Sequence, residues 1–168
     1  MGYVHDTHVS QYIPPTAFHC VTGTYTNAAG VIAGTIAKHR AAAASTGVVT
    51  IPIMIPGNSV ALKGAKLVSI EVDYENKVGE ADSFTWTLNK VTRGADTAVA
   101  VVAAVTKTNT IADADAKTVD QHKQVITVTT PAWIDNDEYY LLELSLVAGA
   151  GGNTAKFLGA VANYTLRL

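Results

Sequence analysis

The chain has 168 residues, of which 48% are hydrophobic and only 15% are charged, and its formal net charge is −2. A domain of this size can bury a core without disulfides, and the single cysteine, Cys20, excludes an internal disulfide framework. We interpret Cys20 as a small buried hydrophobe. Without a basic run or an apolar run of membrane-spanning length, we expect neither nucleic acid nor membrane as a partner.

Residues 1–16 are predicted to form an extended arm outside the core. The pair Pro14-Pro15 favours an extended backbone, and the residues before it are unusually apolar for a disordered tail, which is the alternative. We expect the arm to contact a neighbouring subunit. The residues expected to make this contact are Tyr3, Val4, Val9, Tyr12 and Ile13. Residues 17–168 then form one domain.

The first part of that domain is predicted to form strands. Two alternating runs, residues 17–26 and 31–40, flank a four-residue connection that begins with Asn27 and ends with Gly30, a pattern typical of a hairpin. The apolar run 48–55 contains Pro52, which cannot donate a ladder hydrogen bond. It therefore predicts an edge strand or a strand with a bulge.

Two central strands follow. Residues 64–76 alternate between polar and apolar side chains, which predicts a strand with one solvated face. In residues 83–92 the side chains of Phe84, Trp86 and Leu88 share one face and are expected in the core. The run 98–106 mixes Ala with Val and is predicted as a strand, and residues 109–118 as a polar loop or short helix.

The stretch 124–147 predicts a strand, a corner and a second strand. Pro131 ends the first strand, Trp133 gives the corner an apolar plug, and acidic and amide residues follow as turn formers. The returning strand places four apolar side chains on one face, those of Tyr140, Leu142, Leu144 and Leu146. A last strand runs over residues 154–168, with Leu158 and Ala160 predicted on one face and Phe157 on the other.

The order of these elements predicts an all-β fold. Eight or nine strands separated by turns, with no convincing amphipathic helix, favour an antiparallel two-sheet sandwich of the jelly-roll type. An immunoglobulin-type sandwich fits less well, because the Cys…Trp…Cys pattern is missing.

Possible metal ligands are scattered. His5 and His8 are three apart, and His19 and His39 would lie near each other across the predicted hairpin, but two histidines without a third ligand rarely form a catalytic metal site. The acidic residues of 135–138 offer oxygen ligands for calcium, although a turn explains them better. We expect no metal and no cofactor.

Catalytic patterns are also missing. The chain has no GxSxG motif and no glycine-rich phosphate loop. Glu71 and Asp73 could be neighbours, as a glycosidase requires, but such a pair on a solvated strand face more often serves solubility. Trp86, Trp133 and Tyr139 could stack on sugars, yet Trp86 alternates with core residues. We therefore expect no enzyme.

The chain resembles a group of small jelly-roll virion proteins of tailed bacteriophages, which decorate or cement capsids or form appendages. The resembling segments are KLVSIEVDYE (66–75), SFTWTLNKV (83–91), ITVTTPAWIDNDEYYLLELSL (126–146) and GAVANYTLRL (159–168). The resemblance implies a capsid decoration protein located in the virion and bound to the major capsid protein. Because the first residues lack the pattern of a signal peptide, we expect it to be made in the host cytoplasm. The resemblance also implies a trimer.

Low charge independently favours a homo-oligomer, since an isolated monomer would expose much uncharged surface. The alternative is a carbohydrate-binding or receptor-binding module of a phage tail or fibre. That role would need exposed aromatic side chains or an acidic calcium site.

Overall fold

Strands account for most of residues 5–58, 64–94, 100–149 and 152–167, the part of the chain that this computed structural model describes. The strands are β1 (Asp6–Ile13), β2 (His19–Thr22), β3 (Tyr25–Ala29), β4 (Ile36–Ala43), β5 (Gly47–Ile53), β6 (Ala65–Lys77), β7 (Ala81–Thr92), β8 (Val101–Ala104), β9 (Lys107–Asn109), β10 (Gln121–Val128), β11 (Glu138–Ala148) and β12 (Asn153–Arg167). One short helix, α1 (Asp113–Ala116), lies in the segment predicted as a loop or short helix. Within these ranges no helix is long and apolar enough to cross a membrane.

The strands form two antiparallel sheets. The first has the order β3-β4-β12-β6-β10-β9, and the second has the order β2-β5-β11-β7-β8. Because β6 pairs along one edge of β12, β4 and β1 share its other edge. There β4 pairs with residues 153–157 of β12, and β1 pairs with residues 160–167.

The connectivity is that of a jelly roll. From β4 onwards the chain passes repeatedly between the sheets, so that β4, β12, β6 and β10 face β5, β11, β7 and β8. This arrangement of two interleaved Greek keys is the eight-stranded jelly-roll pattern. The predicted fold class, an antiparallel two-sheet sandwich of this type, is confirmed.

The core lies between the sheets and is built by alternation. The side chains predicted to face it from β7 and β11 are all buried: Phe84, Trp86, Leu88, Tyr140, Leu142, Leu144 and Leu146. At its centre Tyr74 of β6 stacks on Phe84, with ring centroids 4.9 Å apart, and contacts Trp86 at 5.5 Å. Each such side chain contributes about 1.5–3 kcal/mol by leaving water.

Two bulges shift the phase of alternation on the first sheet. In β12 both Phe157 and Ala160 are buried, because the pairing with β6 skips a residue between Phe157 and Gly159. An inserted residue moves all following side chains to the opposite face. The predicted grouping of Leu158 with Ala160, opposite Phe157, is therefore wrong. A second register shift, between Asn163 and Tyr164, lets both Leu67 and Ile70 of β6 face the core.

The predicted N-terminal arm is wrong for residues 6–13, which form a strand of the chain's own sheet. Asp6 pairs with Arg167 and Ile13 with Ala160, and the side chain of Ile13 is buried in the core. The physical reason is the length of β12, which extends past β4. The backbone N–H and C=O groups of this extension need hydrogen-bond partners, and β1 provides them. Residues 1–4 lie outside the described part of the chain.

Two further predictions change in detail. The strands of the predicted N-terminal hairpin are β3 and β4, joined by a longer loop that the Gly30 N–H closes on the Thr35 carbonyl at 2.8 Å. The predicted run 17–26 is split, since β2 belongs to the second sheet. The predicted corner within 124–147 connects β10 of the first sheet to β11 of the second. Pro52 lies in β5 beyond the residues that pair with β2, so β5 is an edge strand at that point.

Candidate functional site: a cleft on the outer face of the first sheet

The bulge in β12 places an aromatic ring on the outer face of the first sheet. Gly159 has a φ of 140°, and a Cβ at this position would lie 2.7 Å from the Tyr12 Oη and 2.8 Å from its Cε2. Only glycine fits below the ring. The Tyr12 hydroxyl donates to the Leu158 carbonyl at 3.3 Å. Tyr12 is nevertheless 61% exposed, so its ring is supported by the sheet and open to solvent.

An apolar groove of about 460 Å³ begins beside this ring. Its walls come from the end of β1, the turn at Pro15–Ala17 and the loop between β3 and β4. Ile32 and Ile36 are 71% and 54% exposed there. The loop is held by a hydrogen bond of 2.6 Å from the Thr35 hydroxyl to the Ile32 carbonyl. This bond holds the backbone at Ile32, and Ile36 is the first residue of β4.

A second depression, of about 340 Å³, adjoins the groove and has charged and polar side chains on its walls. Leu158 and Gln121 line both, and the second also has Asp73 and Lys123 on its walls. Asp73 is the cross-strand partner of both Gly159 and Lys123, so it lies next to the residue under the Tyr12 ring. We call the groove and this depression together the Tyr12 cleft.

Lys123, on the wall of the polar half, is paired with a neighbouring carboxylate. The Lys123 Nζ lies 3.2 Å from the Glu71 Oε2, and the Asn163 amide donates to the Glu71 Oε1 at 3.0 Å. The hydrogen bond to Glu71 and the nearby Asp73 charge raise the pKa of Lys123, while Lys123 and Asn163 lower the pKa of Glu71. No described residue hydrogen-bonds the carboxylate of Asp73 or the side-chain amide of Gln121. These two groups can take a ligand.

The histidines do not assemble into a site. His19 pairs with Thr50 in the second sheet, whereas His39 pairs with Thr26 in the first, so they do not lie across one hairpin as predicted. Burial, together with the nearby Lys156 charge, lowers the pKa of His39. Within the described ranges no three His, Cys, Asp or Glu side chains are grouped so as to hold a metal ion. That the protein binds no metal stays a prediction.

The acidic stretch 135–138 has a structural use. The Glu138 Oε1 lies 2.5 Å from the Lys90 Nζ, and its Oε2 accepts a 3.1 Å hydrogen bond from the Asp135 N–H. Burial raises the pKa of Glu138, but the bonds from Lys90, Asp135 and Thr92 outweigh it and leave the pKa below its usual range. Glu138 thus ties the corner before β11 to β7.

Other predicted candidates are placed differently. Glu71 and Asp73 share the outer face of β6, as predicted, and Glu71 is engaged there by Lys123 and Asn163. Cys20 is exposed on β2, which corrects the prediction of a buried thiol, and partial burial raises its pKa. A raised pKa keeps the thiol protonated and weakly nucleophilic.

The three aromatic residues considered for sugar stacking do not form a platform. Trp86 belongs to the core, and Tyr139 is half-buried on β11. Trp133 is also half-buried, with Lys66 and Arg167 lying 4.8 Å and 4.4 Å from its ring centroid. The exposed ring instead belongs to Tyr12, whose placement depends on a bulge that no sequence motif announces.

Of the residues predicted to contact a partner, Tyr3 and Val4 lie outside the described part of the chain. Ile13 is buried, and Val9 packs against the same core. Tyr12 alone among the described three is exposed enough to meet a partner. The contact itself stays a prediction.

The second sheet has short strands at both ends. All four residues of β2 and all four of β8 are exposed. Among described residues, β8 pairs only with β7, in a regular register, whereas the pairing of β2 with β5 has an irregularity near Val21. Val101 and Val102 of β8 are 64% and 60% exposed, and no charged residue lies in this strand.

No protein-family model matches the chain, and no curated protein matches it. Among solved structures, the fold is similar to part of an arabinose-bound α-L-arabinofuranosidase, at 9% identity and a TM-score of 0.45, covering 91% of this chain and 24% of that one. It is also similar to part of the enzymatically active domain of tailspike protein 4 of bacteriophage CBA120, at 7% identity and a TM-score of 0.44, covering 88% and 19%. The chain thus spans a quarter or less of either protein, and likeness at this level carries no argument about function.

Proposed function

We propose that this chain is a structural protein of a bacteriophage virion, a capsid decoration protein that acts as a homo-oligomer and binds the major capsid protein. The observation that carries the proposal is the exposed, uncharged strand β8 at the end of the second sheet. The resemblance of four segments to small virion proteins gives the biological setting.

An edge strand has backbone N–H and C=O groups that can pair with another chain, and proteins usually protect such edges with short strand length, charges, proline or bulges. Strand β8, with the sequence VVAA, is only four residues long, but it has no charge, proline or bulge, and its pairing with β7 is regular. Its small side chains also leave room for a neighbouring strand to approach. These features support a contact made by adding a strand to the sheet.

Such a contact can join the two different edge strands of the second sheet, β8 and β2. If β8 of one subunit pairs with β2 of the next, the interface is heterologous, and such an interface forms a ring when the rotation between subunits closes and an open filament when it does not. A trimer is our preferred ring, on the resemblance to virion proteins alone. We further propose a binding role without catalysis, supported by the engagement of Glu71 in an ion pair and a hydrogen bond.

Light scattering on the purified chain tests the oligomer. We expect a multiple of the 17.6 kDa protomer mass, trimeric by preference, and a monomer for Val102→Lys, which places a charge on the edge. Val119→Lys, at a valine that is 51% exposed outside any strand, is the matched control and should keep the parental mass. A monomeric parent chain, or an unchanged Val102→Lys, would contradict the contact.

The virion role needs a separate test. Particles produced from the genome that encodes the chain should contain it in a fixed ratio to the major capsid protein, measured by quantitative mass spectrometry. Particles made without it should lose their DNA at a lower temperature. Its absence from purified particles would contradict the proposed location.

A further inference from the structure

We propose that the Tyr12 cleft binds a neutral pyranose unit of a surface glycan. This function goes beyond a structural role in the particle and uses a different surface from β8. Because the cleft lies on the outer face of the first sheet and β8 at the edge of the second, an assembled subunit can carry both.

The Tyr12 ring provides the stacking surface. A pyranose has a face of C–H groups that packs well on an aromatic ring, and the ring must have one open face for this. Tyr12 is 61% exposed, while Gly159 supports it from below and the Leu158 carbonyl accepts a hydrogen bond from its hydroxyl. A ring already held in place loses little conformational entropy on binding.

The adjoining polar half provides hydrogen bonds for the hydroxyl groups. The Asp73 carboxylate accepts hydrogen bonds, and the Gln121 amide both donates and accepts them. Neither side chain is hydrogen-bonded by another described residue. Asp73 is the cross-strand neighbour of Gly159, so a sugar stacked on Tyr12 has its edge beside this carboxylate. A carboxylate acceptor makes the stronger, charge-assisted kind of hydrogen bond.

The combination distinguishes a sugar from other ligands. An apolar side chain of a partner would fill the groove, but it would remove water from Asp73 and Gln121. The hydrogen bonds that these two side chains make to water would then be lost without replacement. A purely polar ligand would leave Ile32 and Ile36 in contact with water. A pyranose satisfies both halves, because it has an apolar face and a polar edge.

Local charge further selects the ligand. Glu71 and Asp73 carry two negative charges and Lys123 one positive charge, and Lys123 is already paired with Glu71. The remaining charge is the Asp73 carboxylate, which repels an acidic sugar. We therefore expect neutral sugars to bind and uronic or sialic acids to be excluded.

A glycan array of bacterial and animal surface glycans, followed by calorimetry with the best neutral oligosaccharide found on it, tests the site. We expect binding by the full chain, and an increase in Kd of about tenfold or more for Tyr12→Ser and for Asp73→Asn. Tyr12→Phe keeps the ring and should bind within about threefold of the parent. Val102→Lys, on the second sheet, should bind as the parent does.

Tyr12→Ser also uncovers Gly159, so thermal melts must show that this variant folds. If it does not, Asp73→Asn decides, because Asp73 is half-buried on the outer face and belongs to no core cluster. The absence of any bound glycan would overturn the proposal. So would a preference for acidic glycans, or an affinity that falls in Val102→Lys but not in Asp73→Asn. A failed capsid test with intact glycan binding would overturn only the structural role.

Discussion

The phenol ring of Tyr12 rests directly on Gly159, so that a single added carbon at residue 159 would lie 2.7 Å from the Tyr12 hydroxyl oxygen. This contact joins the first strand of the chain to a bulge in the last one. A glycine in a strand leaves a gap in the sheet surface, and an aromatic residue on the neighbouring strand often covers it. Here the same contact fixes the ring that we propose as a sugar platform.

Gly159→Ala should destabilise the protein by about 1–3 kcal/mol, because alanine rarely adopts a positive φ and its methyl group meets the Tyr12 ring. Denaturant unfolding measures the change. In a Tyr12→Ala background the steric part disappears and only the backbone part remains, so the cost should fall. Equal costs in both backgrounds would show that the ring does not press on this position.

Truncation of a core side chain on the second sheet should lower the free energy of unfolding. Leu144 is buried between the sheets, opposite Val49 and Trp86, and Leu144→Ala should cost about 2–5 kcal/mol. Leu141 lies on the same strand but is only half-buried, so Leu141→Ala is the matched control and should cost clearly less. A cost below about 0.5 kcal/mol for Leu144→Ala would contradict the observed strand phase.

Regular alternation explains why β7 and β11 could be predicted from the sequence, since each keeps one face in the core along its length. The same reasoning failed at Phe157 and Leu158, because a bulge reverses which side chains face the core. In the sequence this bulge is marked only by a single glycine. It also failed for β1, whose pairing partner is about 150 residues away in the chain. Pairing over such a distance leaves no local pattern, and the position of Tyr12 in the cleft depends on both features.

Glu138 predicts a pH-dependent contribution to stability. Its pKa in the folded protein lies below the ordinary value of 4.5, because the bonds from Lys90 and the Asp135 N–H outweigh the effect of burial. A carboxyl with a lowered pKa stabilises the fold above its unfolded pKa, and this contribution is lost as the pH falls through the folded pKa. Glu138→Gln should therefore cost about 1–3 kcal/mol at neutral pH.

The cost should shrink as the pH falls below about 4.5, where the parent protein also loses the ion pair. Denaturant unfolding of both proteins across this range measures it. Glu143→Gln, on the same strand but without a salt bridge among the described residues, is the control and should show no such trend. A difference that does not depend on pH would assign the effect of Glu138→Gln to packing.

Removal of metal ions should not change stability. Histidine and acidic side chains of the described ranges form no group of three that could hold an ion, and the acidic turn is used by Glu138 to bind Lys90. Thermal melts with and without EDTA are expected to coincide. A large drop in melting temperature with EDTA, restored by calcium, would show that residues 135–138 hold an ion after all.

The strand β1 predicts that the N-terminus is needed for folding rather than for assembly alone. A chain that begins at Thr16 lacks the partner of residues 160–167 in β12 and the buried side chain of Ile13. Its exposed backbone groups and lost apolar burial should lower the denaturant midpoint markedly and favour aggregation through the new edge. A chain that begins at His5 keeps all of β1 and serves as the control. Equal midpoints for the two shortened chains would mean that β1 adds nothing to the stability of the sandwich and behaves as the separate arm that its sequence predicts.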